Sequence, residues 1–352
     1  MSKRQGIRAI LFILCTIMLF LWLSYIFVSP EGSGMSSRFH DFYKKEKENT
    51  WDAAFLGSSV VSRAWAAPVA WHEHGLAIYS MATDSQLFLM TTDLMEEVLK
   101  KQNVPLFIID LRGLRESKTG VSEVKVRRLT DNMEYSTTRT TALKKVFQYI
   151  EEKDIAKDKD QMLNNKLSYY IPFIKYHTNW NGLQETNFVK PTSEMKGVYE
   201  GSAFKTVAQA KPETTTKASG LSNDQIELLE EVIRYGKEHN VELLFTMLPG
   251  EMSKKEQKEI NQAFQIINEN GFRGINFNQE AMYQEVGIDF SKDFYDPAHV
   301  NAKGARKISE YLGTYISQNY DFTDKRGREE YTSWDQAWEL YNNFYNIGWT
   351  AQ

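Results

Sequence analysis

Residues 53–60 read Ala-Ala-Phe-Leu-Gly-Ser-Ser-Val. Four apolar residues followed by Gly57, Ser58 and Ser59 describe a short buried strand that runs straight into a turn. The same rhythm recurs on the C-terminal side. Gly75 to Tyr79 is a second candidate strand, residues 84–102 place Leu87, Met90, Leu94 and Val98 on one helical face, and Val104 to Leu111 (VPLFIIDL) is a third strand. Later come helix 222–240, strand 241–247, helix 254–270, strand 274–276 and helix 301–318, the first of these helices opened by a capping box of Ser222 and Gln225. Strands alternating with helices predict an α/β fold around a mainly parallel sheet with helices on both faces.

Residues 115–220 break that rhythm. Glu151 to Lys166 is rich in charge, Tyr169 to Trp180 (YYIPFIKYHTNW) is dense in aromatics, and Lys211 to Gly220 (KPETTTKASG) reads as an exposed loop. The segment is expected to be a helical and loop insertion serving as a lid or a partner surface. At the C-terminus, residues 321–352, Trp334, Trp338, Tyr341 and Tyr345 recur at helical spacing, which fits a core-packing stripe or a membrane-interface face.

The run Ala9 to Val28 (AILFILCTIMLFLWLSYIFV) holds no charge. At 1.5 Å per residue it spans roughly the 30 Å hydrocarbon core of a bilayer. It is too long for the apolar region of a cleavable signal peptide, and Val28-Ser29-Pro30 makes a poor cleavage site. Lys3, Arg4 and Arg8 precede it and Glu31 follows, so the positive-inside rule predicts a cytoplasmic N-terminus and a single pass in the cell membrane. The expected layout is therefore a cytoplasmic tip and span (1–30), a polar stalk (31–50), an extracytoplasmic domain (51–320) and an aromatic tail (321–352). Three of the 42 basic residues lie in the first thirty, leaving 39 against 46 acids in the remainder, a balance that disfavours a nucleic-acid partner. With 42% apolar and 25% charged residues the chain is not disordered, and its one cysteine, Cys15, leaves no disulfide or thiolate cluster.

Two stretches bear on chemistry. Ser59 follows a strand at the place where α/β folds bind ligands, although a serine there is also an ordinary helix cap. Val61 stands where the second glycine of a G-x-S-x-G elbow belongs, which excludes that motif. The second stretch is Asp296-Pro297-Ala298-His299-Val300-Asn301-Ala302-Lys303-Gly304, just before the last strong helix. Asp296 and His299 on one loop suit a base oriented by a carboxylate, and an Asp-Pro turn with Asn301 as helix cap is the plainer alternative. His72-Glu73-His74 lacks the H-E-x-x-H spacing and a third ligand, so no metal is expected, and no Gly-rich phosphate loop implies a nucleotide or other cofactor. His177, beside Tyr176 and Trp180, is a candidate for lining an acceptor site.

The two stretches together resemble the SGNH (GDSL-type) hydrolase superfamily. Gly57-Ser58-Ser59 matches its first block, and Asp296 through His299, with Asn301 and Gly304 trailing, matches its last. The resemblance covers residues 53–111 and 222–318 and implies a three-layer sandwich with Ser59 as nucleophile, His299 as base and Asp296 as its orienter. Ser58 replaces the usual aspartate before the nucleophile, as in the membrane-anchored DltD-like subgroup of cell-surface polymer modifiers. In place of the second-block glycine stands Ala82 as the nearest oxyanion candidate, and in place of the third-block asparagine stands Arg112. The resemblance implies serine-dependent O-acyl transfer, such as O-acetylation, onto a cell-surface polysaccharide or teichoic acid, beside a membrane acyltransferase of the MBOAT type. A carbohydrate esterase or deacetylase, and a non-catalytic scaffold of a cell-envelope assembly, are the competing expectations.

Overall fold

The computed structural model describes residues 2–28, 35–117, 120–153, 156, 158–201 and 203–350. It opens with α1 (Lys3–Phe27), a helix long and apolar enough to cross a membrane. Ser2 and Gln5 form a capping box at its start, satisfying first-turn amides that have no intrahelical acceptor. The segment expected to be a polar stalk is instead largely folded. Residues Met35–Lys44 form α2, with Met35, Arg38, Phe39, Asp41 and Phe42 buried. Met35, Phe39 and Phe42 fall on one helical face, and that spacing was the available signal; the lysines around residue 45 obscured it.

The sheet and its crossovers follow in chain order: β1 (Ala53–Leu56), α3 (Ser59–Ala64), α4 (Ala67–His74), β2 (Ile78–Ser80), α5 (Thr91–Leu99) and β3 (Leu106–Asp110). The chain then runs through α6 (Arg112–Glu116), α7 (Glu123–Thr130), α8 (Thr137–Lys153), α9 (Lys159–Asn164), α10 (Leu167–Tyr170), α11 (Phe173–Tyr176), α12 (Glu185–Phe188) and α13 (Asn223–Glu238). It returns to the sheet with β4 (Glu242–Met247), α14 (Lys254–Glu269) and β5 (Arg273–Asn276). After α15 (Glu280–Glu285), β6 (Phe294–Asp296) and β7 (His299–Val300) make a small antiparallel hairpin, and α16 (Ala302–Asn319) and α17 (Thr332–Thr350) close the chain.

The five-stranded sheet has the order β2-β1-β3-β4-β5 and every pairing in it is parallel. Central strands β1 and β3 are buried at every position, which explains their unbroken apolar runs. The order places the carboxyl ends of β1, β3 and β4 side by side, where α/β folds gather their loops. The strand expected at 75–79 is shorter and later, because α4 continues to His74 and Gly75 caps it in the left-handed conformation at φ 67°. The expected capping box of Ser222 and Gln225 is present. The C-terminal aromatics pack inward: Trp334 and Tyr341 are buried, Trp71 Nε1 donates to Asp335 Oδ1 (2.9 Å), and α17 lies against α4. That is the core-packing stripe rather than a membrane-interface face.

Candidate functional site

Gly57 makes the turn after β1 possible. Its φ of 155° lies where side chains rarely go, and a Cβ there would come within 2.6 Å of Val61 and 3.0 Å of the Asp110 side chain. The turn delivers buried Ser58 as the N-terminal flanking residue of α3 and Ser59 as its first helical residue.

At the other end of the chain, Asp296 closes β6 and His299 opens β7. Asp296 Oδ1 accepts from the backbone amides of Ala298 (2.8 Å) and His299 (2.9 Å), so the carboxylate is locked by its own loop. His299 Nδ1 meets Asp296 Oδ1 at 3.0 Å and Oδ2 at 2.9 Å, and its Nε2 lies 2.8 Å from Ser59 Oγ. With the proton on Nδ1 held by the carboxylate, Nε2 is the free base facing the serine hydroxyl. Asn301 caps α16 as well, accepting from Lys303 N (3.0 Å) and Gly304 N (3.3 Å). The cap and the histidine contact therefore coexist. Gly304 leaves room for Asp293 O, which a Cβ would approach at 2.5 Å.

Burial pushes the His299 imidazole below its ordinary value; the hydrogen bond to Asp296 opposes this, while the Arg63 and Arg112 guanidiniums reinforce it. Tyr295 stacks on the imidazole with ring centroids 5.5 Å apart and planes within 6°, fixing the ring's tilt. Arg63 donates to Ser59 O (3.2 Å) and to Asp84 Oδ1 (3.3 Å), tying α3 to the loop after β2. Sequence reading missed both Tyr295 and Arg63; Tyr295 adjoins Asp296, and no pattern singled it out.

The residues expected to line the site take different places. The loop after β2 runs beside the Gly57 turn, with Met81 N donating to Phe55 O and Thr83 N to Gly57 O, each at 3.0 Å. Ala82 lies between them, and its carbonyl accepts from Arg38 Nε at 3.1 Å. Arg38, fully buried on α2 and pushed down to about 10 by desolvation, thus clamps the peptide that follows Ala82. Arg112 is also buried and is lowered to about 10, first by desolvation and then by Arg115. Its Nε and one terminal nitrogen have no hydrogen-bond partner among the described residues. Its guanidinium reaches Gly250, where a Cβ would lie 2.5 Å from the terminal nitrogen and 3.0 Å from Ala298 O, one residue from His299. Asp110 steadies this corner, accepting from Arg112 N (2.9 Å) and Leu248 N (2.8 Å). His177, in contrast, is not brought to this cluster. It is exposed, with Nδ1 2.8 Å from Ile174 O, on the helical turns packed against α1. His72 stacks on Trp338 (3.9 Å), and His74 Nε2 lies 3.2 Å from Thr314 Oγ1.

A cleft of about 520 Å³ opens beside the Asp296 loop, between Pro297, Phe294, Phe290, Glu251 and Arg115. The arrangement as a whole is a serine hydroxyl facing an imidazole that a carboxylate aligns, with the Arg63 and Arg112 guanidiniums nearby. It suits attack of a hydroxyl on a carbonyl. No protein-family model matches this chain, and no curated protein matches it.

Proposed function

We propose that this protein is an extracytoplasmic, membrane-tethered SGNH-type enzyme that transfers an acyl group by way of an acyl-Ser59 intermediate. The observation that carries the reading is the unbroken hydrogen-bond chain Ser59 Oγ–His299 Nε2, His299 Nδ1–Asp296 carboxylate. As Ser59 Oγ forms a bond to the acyl carbonyl carbon, its proton passes to His299 Nε2. The carbonyl oxygen takes the charge, the bond to the donor's leaving oxygen breaks, and His299 returns the proton to that oxygen. An acceptor hydroxyl then attacks the ester, giving its proton to His299, and Ser59 leaves reprotonated. The Ser59 amide, in the first turn of α3, and the Ala82 amide are the donors assigned to the oxyanion. Arg112 supplies the positive charge that the asparagine of the third block would otherwise replace with a neutral donor.

The acceptor in this reading is a hydroxyl of a cell-surface glycan or teichoic acid, for which the open cleft beside Pro297 offers room. An apolar N-terminal helix supports placement at the membrane, and the resemblance to DltD-like proteins supports a partner of the MBOAT type that delivers acyl groups across it. The test is a Ser59→Ala substitution in the native cell, with the surface polymer's O-acyl content measured. A transferase predicts loss of acyl groups. A rise would instead establish the esterase, and an unchanged content would favour the scaffold.

A further inference from the structure

The membrane end of the molecule holds a second feature, independent of the serine. A cavity of about 580 Å³ lies between the last two turns of α1 and the body of the domain. Leu21, Tyr25, Phe39, Met133 and Pro172 give it apolar walls. Of the polar groups there, Asp131 Oδ1 makes no hydrogen bond but faces the Arg139 guanidinium at 3.7 Å, whereas two others have neither hydrogen bond nor ion pair among the described residues. Ser24 on α1 is 3% exposed and its Oγ makes no hydrogen bond. Lys190 is more than half withdrawn from solvent and is lowered by desolvation alone, no carboxylate opposing it; its Nζ sits 4.7 Å above the Tyr25 ring. His40 lines the same cavity and feels the charge of Lys190. Lys44 pairs with Glu134 on the rim, so Lys190 is the cation left without a carboxylate among the described residues, and apolar walls beside such a cation suit an amphiphile that carries a negative head.

The surrounding surface fixes where this chamber sits. Phe173 packs edge-on against both Phe20 and Phe27 of α1, at 5.5 and 5.7 Å. Asn187 Nδ2 donates to Ile26 O at 2.8 Å. Phe20 lies seven residues before Phe27, so α11 reaches about 10 Å along the helix axis from its outer end. Interfacial helices bury their apolar faces to about that depth, roughly 5–10 Å. On this same flank Leu167, Ile174, Trp180, Phe188 and Val189 are exposed, Trp180 and Val189 by 65% and 68%. Such a patch beside a spanning helix has the composition of a membrane-interface belt.

We propose that this cavity binds an acidic glycerophospholipid of the leaflet facing the domain, headgroup on Lys190 and Ser24 and acyl chain along Leu21 and Tyr25, while residues 167–190 seat the domain in the membrane interface. The proposal rests on α1 spanning the bilayer, not on the chemistry of Ser59. The continuity of the cavity wall with α1 and the unpaired ammonium select a lipid over a second protein as occupant. In the test, full-length protein is first floated with phosphatidylcholine vesicles containing phosphatidylglycerol. Failure to float would refute the membrane reading of α1 itself. Protein that floats is then extracted in mild detergent and its retained lipid counted by native mass spectrometry. The expected result is retention of phosphatidylglycerol over phosphatidylcholine by about fivefold, the worth of one basic residue at an anionic surface. Lys190→Gln abolishes that preference, and Lys217→Gln, on a distant exposed loop, keeps it. Fluorophosphonate labelling of Ser59 stays unchanged in both variants. Equal retention of the two lipids, or a preference that survives Lys190→Gln, overturns the proposal. A photoreactive p-benzoylphenylalanine at position 180 gives a second readout in the same vesicles. Adducts with lipid are expected, and crosslinks only to protein would overturn the interfacial seat.

Discussion

A serine hydroxyl becomes a nucleophile only when a neutral base stands ready, and in the proposed mechanism that base is His299. Because burial and the two flanking arginines hold its imidazole below the ordinary value, it stays neutral in more acidic solution than a free histidine. The rate of Ser59 acylation should therefore fall, as pH is lowered, only below about 6.5, the unperturbed value. An inflection at or above that pH in a stopped-time labelling series would contradict the assignment. Arg63→Gln or Arg112→Gln removes a cationic neighbour, so either should move the inflection upward. Arg112→Gln should also slow the acylation rate about a hundredfold if the guanidinium serves the developing oxyanion, a loss of order 3 kcal/mol. Gly57→Ala is expected to destabilise the fold by about 2 kcal/mol, because a Cβ meets Val61 and Asp110 and φ is unfavourable; thermal unfolding of the full chain in detergent checks it. At this scale the sequence was informative where chemistry is local. Asp296 and His299 are three residues apart, so one loop can pair them, but spacing left an Asp-Pro turn open as well and the resemblance, with Ser59, pointed to the pair. Arg38 and Tyr295 were illegible, because a clamp on the Ala82 carbonyl and a ring stacked on His299 exist only once distant elements meet.

Elements differ in how they became legible. Strands β1, β3 and β4 announce themselves as apolar runs, since a strand covered on both faces has no polar alternation to show. Helix α2 was hidden because the lysines around residue 45 mask its apolar spacing and because Arg38 and Asp41 are buried in it, against the usual pattern of charge outside. Helix α17 was legible as a stripe, but its partner was not: the stripe packs on α4 through Trp334 against Trp71 and Trp338 against His72, with Tyr331 of the preceding turn also stacked on Trp71. Trp334→Ala should cost about 3–5 kcal/mol through the cavity it leaves, seen as a lowered unfolding midpoint with Ser59 labelling of the folded fraction retained. A change below about 1 kcal/mol would mean that α17 is an appendage rather than part of the core. Arg38→Gln tests the other helix. It should slow acylation of Ser59 by loosening the loop that carries Ala82, and an unchanged rate in a folded variant would separate α2 from the site.

Across the whole molecule, the decisive contact joins residues 240 positions apart, Ser59 and His299. No local pattern fixes such a pair. It follows from the parallel sheet, which aligns the carboxyl end of β1 with the loops of its neighbours, and from α16, which packs on α3 and α4 and brings the preceding loop over the Gly57 turn. The same chain carries α1, long and apolar enough to cross a membrane, with the aromatic turns of α11 packed against it. The most direct test treats the purified full-length protein with a serine-directed fluorophosphonate and locates the adduct by mass spectrometry. A single adduct on Ser59 that disappears in His299→Ala is expected. Absence of labelling under conditions where a control serine esterase reacts, or labelling that persists without His299, would contradict it.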